Sequence, residues 1–229
     1  MTSNTTASGL VVAVIGPDAA GKTTIAAGLS EALGAHRRVI SMHLGTPPET
    51  LASRPLHLAS RVLHRLSATD AAQSSRTGRA ALYLRALALA VSRRAAVGRA
   101  HRLAARGLLV ITDRYPCREP TSSMGPSIAP AATSKIGGLL ARLESTLYRR
   151  MPPPNLVVRV HVPVEECARR NATRATPKAE ATIRASYEAC ELVRFPGVAE
   201  LDVDNTRPLA AVVAGLSAEI AGYLGHRSP

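Results

Sequence analysis

The 229-residue chain contains very few aromatic residues: no tryptophan, one phenylalanine and five tyrosines. Proteins that bind single-stranded nucleic acids stack the bases on aromatic side chains, and this composition offers few such platforms. The formal net charge of +13 would by itself favour a polyanionic partner. However, the arginines are spread along the chain, and no nucleic-acid-binding motif is present. We therefore do not expect nucleic acid to be the main partner, and we assign the charge to solvated helix faces and a phosphate site.

Cysteines and long apolar runs are also scarce. Cys117, Cys167 and Cys190 have neither C-x-x-C spacing nor paired histidines, which argues against a disulfide framework and a zinc site. No run approaches the roughly 20 apolar residues of a membrane span, and the first residues lack the pattern of a secretory signal. We expect a cytoplasmic protein without membrane contact, in which residues 1–8 form a disordered tail and residues 9–229 form a single domain.

Lysine is rare in a chain with 29 basic residues, and it occurs only as Lys22, Lys135 and Lys178. A chain that otherwise uses arginine keeps lysine where a compact charge on a flexible stem is needed. Lys22 lies in the segment Gly16–Thr23, GPDAAGKT, which fits the P-loop pattern G-x-x-x-x-G-K-[ST].

The residues on either side of this segment fit the same interpretation. Leu10–Ile15 is a short Val/Ile-rich run typical of a buried parallel strand, and Thr23–Leu33 has apolar residues at helical spacing. In a P-loop, backbone N–H groups and the helix N-terminus surround phosphate oxygens. The sequence therefore predicts a nucleoside triphosphate site in which Lys22 contacts the β- and γ-phosphates and the Thr23 hydroxyl binds Mg²⁺.

The rest of the chain alternates between strand and helix patterns, which predicts an α/β fold with helices on both faces of a sheet. Predicted strands lie at 10–15, 38–43, 108–112, 156–162 and 199–204. Predicted helices lie at 23–33, 50–69 with a break at Pro55, 78–106, 139–151, 163–174 and 209–224. Arg159 is unusual within a buried strand and suggests an edge or snorkelling position.

Loops at the carboxyl ends of the strands build the site in an open α/β sheet. His43 ends the second strand and is either an ordinary loop histidine or a substrate contact. Asp113 follows the third strand, where a P-loop enzyme places a carboxylate that holds Mg²⁺ or accepts a proton. Arg114 next to it is suited to clamp a phosphate or carboxylate of the acceptor. The alternative for these two residues is a surface ion pair in a strand-end turn.

Two further segments have the composition of loops that cover a site. Residues 116–138 are rich in Pro, Ser, Gly and Thr, and a loop of this length is either a functional loop on the substrate side or disordered. Residues 167–180 contain Arg169, Arg170 and Arg174, with Lys178 beyond them, and form a candidate lid that neutralises charge in the transition state. A solvated basic helix is the alternative.

The series strand–P-loop–helix, strand–DRY, strand–helix with clustered arginines and strand–DNTRP–helix resembles the thymidylate kinase-like branch of the nucleoside monophosphate kinase family. The resemblance covers residues 10–224. It implies a three-layer P-loop NTPase fold with a five-stranded parallel sheet in the order 2-3-1-4-5. It also implies ATP, Mg²⁺ and transfer of the γ-phosphoryl group to a small acceptor, with Asp18 on an acceptor hydroxyl and the DNTRP segment beside the adenine.

The residues and the resemblance together give four sets of predicted site residues. The predicted catalytic residues are Lys22, Asp113, Arg114, Arg170 and Arg174. The predicted cofactor-binding residues are Gly16, Asp18, Ala19, Ala20, Gly21, Lys22, Thr23, Thr24, Arg169, Asn205 and Arg207. The predicted acceptor-binding residues are Asp18, His43, Arg85, Asp113, Arg114 and Tyr115, and the predicted metal ligands are Thr23 and Asp113.

The identity of the acceptor stays open at this stage. The chain has Ile15 where the family usually has Glu, Asn155 where Asp is usual, and no evident aromatic partner for thymine. The acceptor is therefore a nucleoside monophosphate or another metabolite such as a sugar or sugar phosphate. A nucleotide-gated regulatory ATPase is the alternative to a kinase, and a homodimer is compatible with either function.

Overall fold

The computed structural model describes residues 9–66, 76–120, 122–128 and 135–225. The strands are β1 (Leu10–Ile15), β2 (Val39–His43), β3 (Leu109–Asp113), β4 (Leu156–His161) and β5 (Ala199–Asp204). The helices are α1 (Lys22–Gly34), α2 (Arg54–Leu66), α3 (Arg76–Ala104), α4 (Lys135–Arg149), α5 (Val164–Ala172), α6 (Glu180–Leu192) and α7 (Leu209–Gly225). The predicted tail at 1–8 and helix residues 67–69 lie outside the described residues. No described helix is both long enough and apolar enough to cross a membrane.

The five strands form one parallel sheet in the order β2-β3-β1-β4-β5, which confirms the predicted α/β fold and strand order. β1 is central: Val14 is in register with Asp113 of β3 on one side and with Val158 of β4 on the other. All six residues of β1 are buried, as expected for a parallel strand covered on both faces. The edge strands β2 and β5 are only partly buried.

Helices α1 and α7 share one hydrophobic core with the sheet. Ile25 and Leu29 of α1 are fully buried in the same cluster as Leu216 and Ile220 of α7. Gly28 allows α1 to approach α7 closely, because a Cβ atom at this position would lie 2.8 Å from a side-chain carbon of Val213. This packing holds the N-terminus of α1 at the end of β1.

The described chain divides into two units. The first unit contains the whole sheet and extends through Leu44, from Arg99 to Tyr115 and from Pro153 onward. The second unit consists of Gly45–Gly98 and Pro116–Pro152. Its own core contains Ala86, Leu87, Ile128 and Ala141.

Buried polar groups organise the second unit. The Arg93 guanidinium donates to the carbonyl oxygens of Gly45 and Ser123 and to the hydroxyl of Tyr148. The fully buried Glu144 carboxylate accepts from the backbone N–H groups of Ser127 and Ile128. These contacts tie the segment around residues 122–128 to α3 and α4.

The predicted starts of two helices, α2 and α4, are wrong by more than two residues. Pro55 does not break a helix: α2 begins at Arg54, so the proline occupies the first turn, where a missing N–H costs no hydrogen bond. Helix α4 begins at Lys135, so the predicted loop 116–138 ends earlier than expected. Helix α5 ends at Ala172, and α6 was not predicted at all.

Candidate phosphate-binding site

The loop Gly16–Thr23 connects β1 to α1, and its backbone conformation is unusual at two residues. Gly21 has φ of +87° and forms the N-cap of α1, and a Cβ atom at this position would lie 2.5 Å from Nδ2 of Asn205. Ala19 has φ of +67°, which is unfavourable for a residue with a side chain. Such strain concentrates at ligand-binding loops, and here it lies at the N-terminus of a helix, where anions bind.

Lys22 is buried, and its ammonium turns back toward the loop. Its Nζ atom donates to the carbonyl oxygen of Pro17 at 2.6 Å. Burial and the positive charge of Arg114 together lower the pKa of Lys22 to about 8, although the negative charges of Asp18 and Asp113 act in the opposite direction. A poorly hydrated cation in this position gains stabilisation from an anionic ligand.

Thr23, Asp113 and His43 form a hydrogen-bonded cluster at the carboxyl ends of β2 and β3. The Thr23 hydroxyl donates to Oδ2 of Asp113 at 2.6 Å, and Nδ1 of His43 lies 3.1 Å from the same oxygen. His43 and Asp113 are brought together because they are in register in the two strands.

The cluster fits a Mg²⁺ site. Oδ1 of Asp113 is buried and has no hydrogen-bond partner, so a carboxylate oxygen beside the Thr23 hydroxyl is free to bind a cation. Mg²⁺ binds hydroxyl and carboxylate oxygens and, in phosphate sites, needs only one or two protein ligands besides phosphate and water. The described residues contain no group of three or more His, Cys, Asp or Glu suited to a metal.

Arg114 has a left-handed backbone, with φ of +68°. Its N–H donates to the carbonyl oxygen of Val14, and its Nη2 lies 3.5 Å from Oδ1 of Asp18. Its Nε atom is buried without a hydrogen-bond partner. A buried donor without a partner costs about 1–3 kcal/mol, so a ligand oxygen that paired with this atom would recover free energy.

Asp18 is the acidic residue of the P-loop, and three cations act on its carboxylate. Its Oδ2 accepts a 2.5 Å hydrogen bond from Nζ of Lys178, and its N–H donates to Oγ of Ser186 on α6. Burial raises the pKa of Asp18, but the Lys178 hydrogen bond and the charges of Lys22, Lys178 and Arg114 outweigh burial and hold the pKa below its ordinary value. The P-loop is thus surrounded by more positive than negative charge.

The predicted lid arginines differ in their surroundings. Arg170 donates from Nε to Glu166 and from Nη2 to the carbonyl oxygen of Asn205, whose Nδ2 donates to the P-loop carbonyl of Ala20 at 2.7 Å. Arg169 is exposed and pairs with Glu166. These two hydrogen-bonded arginines hold the pKa of Glu166 at about 2. The exposed side chain of Arg174 has no hydrogen bond to the P-loop within the described segments.

The remaining predicted residues have different surroundings. The hydroxyl of Tyr115 is 3.0 Å from Nε2 of His101, and its buried ring packs edge-on against Phe195. Arg85 is an exposed residue of the second unit. Thr24 and Arg207 are exposed. The functional roles assigned to all of these side chains from the sequence stay predictions.

Ser186 and Asn171 contact the P-loop or its partners and were not predicted. Lys178 was predicted only as an addition to the lid arginines, without a role of its own. Asn171 and Ser186 act through backbone hydrogen bonds, and no local sequence pattern marks them.

Comparison with known proteins finds distant relatives of this chain but does not assign it to a family. No family model matches the chain. The chain is 28% identical over 215 residues to "Uncharacterized ATP-binding protein YghR" of Escherichia coli (strain K12), with 89% of this chain and 83% of the relative covered. The protein of the same name from Escherichia coli O6:H1 matches equally. The similarity extends along most of both chains.

Proposed function

We propose that the protein is an ATP- and Mg²⁺-dependent kinase that transfers the γ-phosphoryl group to a small acceptor. The observation that carries this proposal is the grouping of Lys22, Arg114 and Lys178 around Asp18, beside the Thr23–Asp113 pair. This grouping provides cations for a triphosphate and oxygen ligands for its metal. The relatives named as ATP-binding support the choice of nucleotide.

Each residue has a role that follows from its position. The N–H groups at the start of α1 bind phosphate oxygens, and the Lys22 ammonium exchanges its bond to Pro17 for one to the β- and γ-phosphates. Thr23 and Asp113 would hold Mg²⁺, which would neutralise part of the phosphate charge when bound.

The reaction requires positioning more than covalent participation by the protein. An acceptor oxygen forms a bond to the γ-phosphorus while the bond from that phosphorus to the β,γ-bridging oxygen breaks. The bridging oxygen keeps the electron pair, and ADP leaves. An acceptor phosphate reacts as its anion and has no proton to lose, whereas an acceptor hydroxyl releases its proton to water. Lys22 and Arg114 stabilise the negative charge on the transferring group and on ADP.

Arg114 is the reason to propose an acceptor rather than hydrolysis alone. Its left-handed backbone and its unpaired Nε atom both cost free energy. Because Lys22 already provides a cation for the nucleotide, we assign Arg114 to a second ligand. A guanidinium is suited to bidentate binding of phosphate or carboxylate. The acceptor class is a nucleoside monophosphate, as in thymidylate kinase-like enzymes, or a sugar or sugar phosphate.

The test is ADP release from Mg²⁺–ATP in the presence of separate nucleoside monophosphates, nucleosides, sugars and sugar phosphates. We expect a selective signal with one acceptor class and its loss in Lys22→Ala. Lys135→Ala is the matched control, because Lys135 is an exposed lysine of the second unit. ATP binding without acceptor-dependent ADP release across the panel would overturn the kinase proposal and favour a regulatory ATPase.

A further inference from the structure

The segment 167–180, predicted as a lid, contains four cations, and they differ in what they contact. Arg169 and Arg170 share the carboxylate of Glu166, and Arg174 is exposed. Within the described residues, Lys178 alone among the four places its charged group on a P-loop side chain, with Nζ 2.5 Å from Oδ2 of Asp18. Arg170 also lies beside the P-loop, since its Nη1 would be 3.8 Å from a Cβ atom on Gly21, but its hydrogen bonds go to Glu166 and to the carbonyl oxygen of Asn205.

Asn171 determines where Lys178 lies. The buried Asn171 carboxamide donates from Nδ2 to the carbonyl oxygen of Lys178 at 2.8 Å, and its Oδ1 accepts from the N–H of Lys178 at 3.1 Å. Residues 172–179 are all exposed, so little other packing holds this loop. The Asn171 side chain thus hydrogen-bonds both the N–H and the carbonyl oxygen of Lys178, and it links the two ends of the exposed loop between these residues.

The partners of Asp18 orient the pair further. Its N–H is bound to Ser186 of α6, and its other carboxylate oxygen faces Arg114. An ammonium has three donors, and the bond to Asp18 uses one of them. Lys178 can therefore contact a phosphate oxygen while it keeps its bond to Asp18.

We propose that Lys178 is the lid cation that contacts the transferring phosphoryl group, and that Asn171 is its positioning residue. The inference rests on the proposed function. It assigns the charge that stabilises the transition state to Lys178 instead of the lid arginines, and it assigns the buried Asn171 amide the role of positioning Lys178. Because the charge acts on the transition state, its loss lowers kcat more than it raises the KM for ATP.

Kinetics of lid variants test the assignment. We expect Lys178→Ala to lower kcat roughly a hundredfold or more, with the KM for ATP changed less than about threefold. Asn171→Ala should lower kcat roughly tenfold, and the double variant should be no slower than Lys178→Ala, because both act through one ammonium. Thr176→Ala, in the same exposed loop, is the control. A kcat of Lys178→Ala within twofold of the wild type would overturn the assignment.

A second measurement does not depend on turnover. The rate of acetylation of Lys178 by an N-hydroxysuccinimide ester is measured by mass spectrometry, with Lys135 as the internal reference. We expect Mg²⁺ with a non-hydrolysable ATP analogue to protect Lys178, and Asn171→Ala to speed its labelling in the free protein. If no acceptor supports ADP release, the kinase proposal fails, but protection still supports contact between Lys178 and the phosphates. Equal labelling with and without the analogue would overturn that contact.

Discussion

The Nζ atom of Lys22 donates to the carbonyl oxygen of Pro17, five residues earlier in the same loop, at 2.6 Å. The same carbonyl oxygen also accepts the N–H of Ala20 at 3.2 Å. Pro17 therefore keeps a hydrogen bond when the ammonium is removed or drawn to a ligand. The Lys22 ammonium can therefore move to an anion without leaving the Pro17 carbonyl unpaired, but its buried charge lowers the free energy of unfolding.

The first prediction concerns the stability of Lys22→Met. The native pKa of Lys22, about 8, is below its ordinary value of 10.5, so the charged form is disfavoured in the folded protein. The penalty is complete below pH 8 and disappears as the pH rises toward 10.5. We expect the substitution to raise the free energy of unfolding at pH 7 by on the order of 2 kcal/mol, with the gain shrinking at pH 10. Thermal unfolding at both pH values measures this, with Lys135→Met as control, and a lower Tm at pH 7 would contradict it.

The second prediction concerns Asp113→Asn. The substitution replaces one carboxylate oxygen by an amide and removes the charge beside Thr23. We expect the Mg²⁺ concentration for half-maximal ATP binding to rise at least about tenfold, because Mg²⁺ prefers charged oxygen ligands. Calorimetric titration of ATP at a series of Mg²⁺ concentrations measures the shift without relying on activity. Asp202→Asn, on the exposed edge strand β5, should leave the Mg²⁺ dependence unchanged. An unchanged dependence in Asp113→Asn would exclude it as a ligand.

The third prediction separates the backbone of Arg114 from its guanidinium. Arg114→Gly and Arg114→Ala both remove the charge, but only glycine accepts φ of +68° without strain. We expect both variants to raise the acceptor KM to a similar extent, and the alanine variant to unfold about 1 kcal/mol more easily than the glycine variant. Acceptor kinetics and denaturant unfolding provide the two measurements. An acceptor KM equal to that of the wild type would show that Arg114 does not bind the acceptor.

The fourth prediction concerns Gly21→Ala. The new Cβ would lie 2.5 Å from Nδ2 of Asn205, and the residue would have to keep φ of +87°. We expect a loss of about 1–3 kcal/mol of stability together with a large loss of ATP affinity. Gly215→Ala in α7 is the matched control: its Cβ would meet no atom within 4 Å, and alanine favours helices by up to about 1 kcal/mol. Equal stability in the two variants would show that the loop relaxes freely.

The sheet could be predicted from the sequence because its central strands are covered on both faces. A strand such as β1 has no solvent side, so it appears as a continuous apolar run, whereas the strand order was implied by the resemblance to thymidylate kinase-like proteins. The residues at the carboxyl ends of strands, Asp113 and Arg114, were found for the same reason. Their positions follow from topology alone, whereas their functional roles stay predictions.

Residues whose environment comes from distant segments could not be predicted. Arg159 was expected at an edge or with its charge in solvent, but β4 is an inner strand and Arg159 is buried. Its guanidinium pairs with Glu200 and donates to the carbonyl oxygens of Cys190 and Val193 at the end of α6. Since α6 was not predicted, its C-terminal carbonyl groups could not be anticipated as partners.

The packing of α7 on α1 has a consequence for biosynthesis. The apolar face of the helix that follows the P-loop is covered by the C-terminal helix, with Gly28 against Val213. β1 also needs β3 and β4, which are synthesised after it. A nascent chain on the ribosome therefore exposes Ile25 and Leu29 until α7 has emerged. The P-loop helix is thus synthesised long before the helix that completes its native surroundings.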